Sequence, residues 1–212
     1  NLESRAPSDP LFPGRRVRIV DGTGLSMADT PENQQQFPQS SRQKIGCGFP
    51  LMRLVALFSL ATGAIVAVAW DSLHVHERTL FHRIWDELKA GDLLVADCGF
   101  CSYADFWLLV QRGVDCLMPN HQRRTTGQRD LKRLGKGDCL VTWIKTKARP
   151  EWMEAEQWLA MPEEMILRRI EVNVEIEGFR TKKIVLVTTL LDGRLYRKSR
   201  FEDLYRRRWF AE

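Results

Sequence analysis

Apolar and polar positions cluster and break along the chain so as to divide it into elements. "RVRIVDGT" is a short apolar strand that ends in Asp21 and a Gly turn. "DTPENQQQFPQSSRQKIGCGFP", punctuated by Pro31, Pro38, Gly46, Gly48 and Pro50, is expected to be a long polar loop. "LMRLVALFSLATGAIVAVAW" (Leu51–Trp70) is apolar enough to raise the question of a membrane span. Arg53 within it, Thr62-Gly63 at its middle, and Val55, Ile65, Val66 and Val68 favour a buried hairpin instead. "ERTLFHRIWDELKAGD" predicts an amphipathic helix with Leu80, Phe81, Ile84, Trp85 and Leu88 on one side and Gly91 as its stop. "LLVAD" is a buried-type strand ending in Asp97. "SYADFWLLVQRG" is a helix from Ser102 to Gly113, and "VDCLM" is a further strand. Strand, hairpin, helix, strand, helix, strand implies an α/β layer with a mixed sheet.

The texture changes from Pro119. Basic loops lead into a stretch holding Trp143, Trp152 and Trp158; "RIEVNVEIEG" then alternates as a half-exposed strand, and "KIVLVTTLLD" runs back after Gly178. This antiparallel segment is expected to be an insertion between the α/β part and a final helix. The expected division is a lead-in over 1–13, the core over 14–119, a β-rich insertion over 120–190, and the start of the last core helix over 191–212.

With 44% hydrophobic and 28% charged residues, the 212-residue chain can bury a core, as one large domain or as a core with an insertion. The net charge is only +5, but His121 to Arg149 carries nine Lys or Arg against Asp130 and Asp138. The tail adds Arg194, Arg197, Lys198, Arg200, Arg206, Arg207 and Arg208, and such stripes suit polyphosphate. Five cysteines, an odd number, argue against a secreted disulfide framework. The chain lacks a signal peptide and a starting Met, and is expected to be a piece of a longer polypeptide.

Asp21 and Asp97 hold equivalent places, each the first polar residue after an apolar strand. A right-handed crossover between those strands makes them parallel neighbours, about 4.8 Å apart, and brings both carboxylates to one sheet edge. Two bare carboxylates that close repel one another, and a hard cation such as Mg²⁺ removes the conflict. At the chain end, "LYRRRWFAE" spaces Tyr205, Arg208 and Glu212 on one helix face roughly 60° wide. Glu212 is placed to be a third carboxylate over the same edge, completing a metal clamp for in-line attack at phosphorus.

These residues resemble the DDE transposases of the insertion-sequence-four type. "DGTGLSMADTPENQQQFP" resembles the first-aspartate region, "GFPLMRLVALFSLATG" the hairpin, and "GDLLVADCGFCSY" the second-aspartate region. "LYRRRWFAE" resembles the start of the family's Y-x2-R-x3-E-x6-K signature. The resemblance implies an RNase H-like mixed sheet flanked by helices, interrupted by a mostly β insertion. It implies Asp21, Asp97 and Glu212 as the catalytic, metal-binding triad, and Tyr205 and Arg208 as DNA-phosphate contacts near the cleaved end. It further implies Mg²⁺ with Mn²⁺ as substitute, cleavage at insertion-sequence ends and strand transfer into target double-stranded DNA. A homodimer in the synaptic complex, no membrane association and a bacterial cytoplasmic, nucleoid-associated setting complete the expectation. The chain departs from the pattern twice. The signature Lys would fall beyond Glu212, and Cys98 stands where many relatives carry Arg. On the first ground these 212 residues alone are expected to be inactive.

Three rival readings attach to the same residues. "DCGFC" between a strand and a helix resembles a thioredoxin-like C-x-x-C, in which Cys98 at a helix start would be an activated thiol. Cys98, Cys101, His74 and His76 make a weak zinc candidate. A catalytically dead DNA-binding remnant would keep the basic patches. Trp143, Trp152 and Trp158 are candidates for a stacking wedge, although a Trp in a β segment is usually core.

Overall fold

The computed structural model describes residues 8–120, 128–174 and 182–209. Its centre is a nine-stranded mixed sheet. Five strands come from the first part of the chain: β1 (Arg16–Ser26), β2 (Leu51–Ser59), β3 (Ile65–Ser72), β4 (Asp92–Val95) and β5 (Asp115–Pro119). Four follow: β6 (Gln128–Gly135), β7 (Asp138–Ile144), β8 (Glu164–Val174) and β9 (Lys182–Thr188). The order is β3-β2-β1-β4-β5-β9-β8-β7-β6. β1, β4 and β5 are parallel, whereas β2 and β3 join antiparallel on one side. This is the RNase H-like arrangement. β9 pairs antiparallel with β5, so the later strands extend the same sheet.

The apolar stretch Leu51–Trp70 is the β2–β3 hairpin, turned at Gly63 with φ +69°, and among the described residues no helix is long and apolar enough to cross a membrane. Each sheet face carries one apolar cluster. On one face Val20, Val55, Leu57, Leu94 and Ala96 pack under helices α2 (Glu77–Arg83) and α3 (Tyr103–Gln111). On the other, Val17, Ile19, Leu93, Val95, Leu117 and Leu186 pack under Phe201, Leu204 and Tyr205 of the last helix, α5 (Lys198–Trp209).

Three expectations need correction. The first strand does not end at Asp21 in a Gly turn, because pairing with β2 carries β1 on to Ser26, and β4 stops at Val95, two residues before Asp97. The segment after β1 is not all loop: α1 (Pro31–Gln36) forms where the Thr30 hydroxyl accepts from Asn33 N at 3.2 Å and Pro31 opens the first turn. The helix expected from Glu77 to Gly91 ends at Arg83 and continues as a 3₁₀ turn over Trp85–Glu87. Trp85 stays buried against Phe81, so the apolar spacing survives the change of hydrogen-bond pattern. α4 (Ala155–Ala160), between β7 and β8, buries Trp158.

Candidate active site

Strand register determines where the two aspartates lie. Ile19 and Val95 are partners in the parallel β1–β4 ladder, and both side chains lie in the cluster beneath α5. Asp21 and Asp97 each follow two residues later: Asp21 lies midway along β1, just beyond its pairing with β4 and on the α5 side by alternation, and Asp97 lies just past the end of β4. Both are partly exposed, as groups meant to meet a ligand must be.

Asp97 is held from within its own turn. Gly99 N donates to Asp97 Oδ1 at 2.7 Å, and a Cβ on Gly99 would lie 2.9 Å from that same oxygen. Asp21 lines a shallow pocket of about 250 Å³ with Thr23, Leu54, Ala56 and Phe58. Gly22, its neighbour, points to the opposite face, where a Cβ would press on Glu77 at 2.9 Å.

α5 brings the third group of residues. Tyr205 is buried in the apolar cluster, and Arg208 Nη1 donates to its hydroxyl at 3.4 Å. The Arg208 guanidinium lies 5.7 Å from the Tyr205 ring centroid and reaches Asp21 Oδ1 at 3.8 Å. The structure thus joins Asp21, Tyr205 and Arg208 in one chain of contacts, and Asp97 follows the end of the adjacent strand, β4. Glu212 lies outside the described residues; among them no group of three metal-capable side chains occurs.

Several supports escaped the sequence reading. Asp9, nearly buried, accepts Arg207 Nη1 at 2.8 Å, and Arg200 Nη1 donates to Leu11 O at 3.0 Å. Phe12 stacks on Tyr196 and meets Phe201 edge-on, so the N-terminal lead-in clamps α5. At the start of α5, buried Arg168 pairs with Asp138 through Nε at 2.8 Å and Nη2 at 2.6 Å, and donates to Tyr196 O at 2.6 Å. A Gly two residues after an aspartate is the one signal in the sequence that pointed to the Asp97 turn.

The rival chemistries fit less well. Cys98 is exposed and lies in a turn, whereas α3 begins only at Tyr103 under a Ser102 cap, so Cys98 is not at a helix start. Cys101 is fully buried in the apolar cluster, and His76 caps α2 by accepting from Arg78 N. Of the wedge candidates, Trp143 and Trp158 are core residues. Trp152 is exposed on its outer side and packs edge-on against His82, with centroids 4.3 Å apart.

Comparison with known proteins adds two findings. A family model described as "Transposase DDE domain" matches residues 12–212. The chain is also similar to "Transposase InsG for insertion sequence element IS4" of Escherichia coli (strain K12), with 25% identity over 214 residues. That match covers 100% of this chain and 46% of the relative, so the chain spans about half the length of the curated relative it matches.

Proposed function

The chain belongs to the transposase DDE domain family, of the insertion-sequence-four type, and from that premise we propose that it carries the catalytic centre of a DNA transposase. The reaction is metal-dependent cleavage of double-stranded DNA at insertion-sequence ends, followed by joining of the freed 3′-hydroxyl to target DNA. The observation that supports it best is the parallel β1–β4 register, in which Asp21 and Asp97 each come two residues after the paired Ile19 and Val95.

Asp21, Asp97 and Glu212 are proposed as the carboxylates that hold Mg²⁺, with Mn²⁺ as substitute. The donor set fits a hard cation: two partly exposed carboxylates, with no thiol or imidazole among the proposed ligands. Divalent ions bound there would offset the repulsion between carboxylates, acidify the attacking hydroxyl and take up charge on the leaving oxygen. The chain's own residues supply the rest. The Gly99 N–H fixes the orientation of the Asp97 carboxylate. Arg208, already opposite Asp21, offers a planar fork of donors to a DNA phosphate arriving at that carboxylate. Tyr205 supports the guanidinium from below and is proposed to share the phosphate contact. The basic stripes add sequence-independent affinity for DNA, and synapsis of two element ends is proposed to use a homodimer.

The test is cleavage of plasmid bearing the element ends by the protein carrying this chain, with Mg²⁺ present. Asp21→Asn and Asp97→Asn are each expected to abolish cleavage while DNA binding stays within a few-fold of wild type. Cleavage at an undiminished rate by either variant removes that residue from the catalytic set.

A further inference from the structure

The loop between α1 and β2 holds an apolar side chain out in solvent and braces it there. Ile45 is 94% exposed at the tip, just after exposed Arg42 and Lys44. A mobile polar linker would not need internal support, but this loop has a dense set of it. The Gln39 side chain alone holds four backbone groups. Its Nε2 donates to Gln43 O at 3.2 Å and Lys44 O at 2.8 Å, and its Oε1 accepts from Gly46 N at 3.1 Å and Gly48 N at 3.3 Å. Gln34 adds a second brace, donating to Gly48 O at 3.0 Å and accepting from Gln39 N at 3.1 Å. Gly46 takes φ +78°, the left-handed conformation that turns the chain back just after the tip. Nothing in the fold of the chain requires Ile45 to point outward.

The surroundings specify the partner's chemistry. Residues 38–50 contain Arg42 and Lys44 and no acidic residue. A second large apolar side chain, Phe49, is 62% exposed in the same loop. An apolar tip that follows two cations suits a duplex, whose stacked base steps accept an apolar wedge while nearby phosphates take the charges. The loop is also in reach of the catalytic edge. β1 and β2 remain paired from Asp21–Ala56 to Ser26–Leu51, and Met27 N donates to Pro50 O. Five residues at about 3.3 Å each place the loop base ~17 Å from Asp21, the length of roughly five stacked base pairs.

We propose that residues 38–50 form a DNA wedge, inserting Ile45 at a base step several pairs from the phosphate at Asp21 while Arg42 and Lys44 hold nearby phosphates. The proposal rests on the transposase reading and adds to it a site of duplex distortion.

The probe is a set of short duplexes carrying 2-aminopurine at successive positions, titrated with the intact chain. Wild type is expected to raise 2-aminopurine fluorescence several-fold at saturation. Ile45→Ser should lose most of that rise with less than about a threefold change in affinity, since the phosphate contacts that dominate binding remain. Gln39→Ala, which frees the loop but keeps Ile45, should lose part of the rise. Arg42→Gln with Lys44→Gln should flatten the slope of log K against log salt by about 2, near one unit per phosphate contact. A wild-type complex without a fluorescence rise overturns the wedge alone, as does an Ile45→Ser variant with an undiminished rise. A change in sedimentation of the DNA-free chain on Ile45→Ser, with the rise intact, would assign the tip to a protein contact and also overturns it. Failure of every form to bind duplex would count against the transposase reading itself, and the wedge would fall with it.

Discussion

Asp97 was legible in the sequence as the first polar residue after "LLVA", but what holds its carboxylate was not. The structure shows a backbone donor, Gly99 N, in contact with Asp97 Oδ1. A methyl at Gly99 would lie 2.9 Å from the oxygen it now orients, so the short Asp97 side chain must move. Gly99→Ala is therefore expected to weaken metal affinity or cleavage by roughly 10- to 100-fold, the usual effect of losing a group that orients a ligand, without loss of fold by circular dichroism. An unchanged Mn²⁺ titration would show that Asp97 has another support. The thiols give a second residue-scale test. Burial raises the Cys116 thiol well above its ordinary pKa, and it also raises that of Cys139. With Cys47 and Cys98 exposed and Cys101 and Cys116 buried, a thiol reagent at neutral pH should modify Cys47 and Cys98 rapidly and Cys101 and Cys116 only on unfolding. Rapid oxidation of Cys98 and Cys101 to a disulfide would instead favour the redox reading. Burial at positions such as Cys101 depends on residues distant in sequence, so spacing alone could not assign it.

The elements were legible where apolar periodicity defines them and less so where hydrogen bonding does. The hairpin, β4, α3 and β5 follow their apolar runs closely. α1 was missed because it buries none of its six residues and is defined by its Thr30 cap and Pro31. The end of α2 at Arg83 was missed because an α turn and a 3₁₀ turn bury Phe81 and Trp85 equally well. α5 is the element on which the proposed site depends, and it is fixed at both ends by residues that the sequence did not connect to it. Arg168 is fully buried, pairs with Asp138, and has its guanidinium 5.1 Å from the Phe201 ring centroid. Arg168→Ala leaves Asp138 without its partner and should cost about 3–5 kcal/mol in urea denaturation, the range for breaking a buried ion pair. Asp9→Asn should cost far less, about 1 kcal/mol or under, because Arg207 is partly exposed and screened. A reversed order of these two effects would show that the lead-in, rather than β7 and β8, anchors the helix.

At the scale of the whole molecule, nine strands among the described residues share one sheet, and the segment after Pro119 continues it through the β5–β9 pair. The mixed α/β class was legible because strand and helix patterns alternate. The continuity of the sheet was not, because edge-to-edge pairing of β9 with β5 leaves no local mark in either strand. This architecture leaves one face of β1 and β4 to be closed by α5, and the proposed metal centre lies at that closure. The central claim is that Asp21 and Asp97 act together as ligands of a divalent cation. Titration of the chain with Mn²⁺, followed by the loss of the free-ion electron paramagnetic resonance signal, tests it directly. Wild type is expected to bind Mn²⁺ and release it to excess Mg²⁺. Asp21→Asn and Asp97→Asn should each weaken binding at least about 10-fold, the lower end of what a lost orienting group costs at a metal site. Binding by the Asp21→Asn, Asp97→Asn double variant with wild-type affinity would contradict the account.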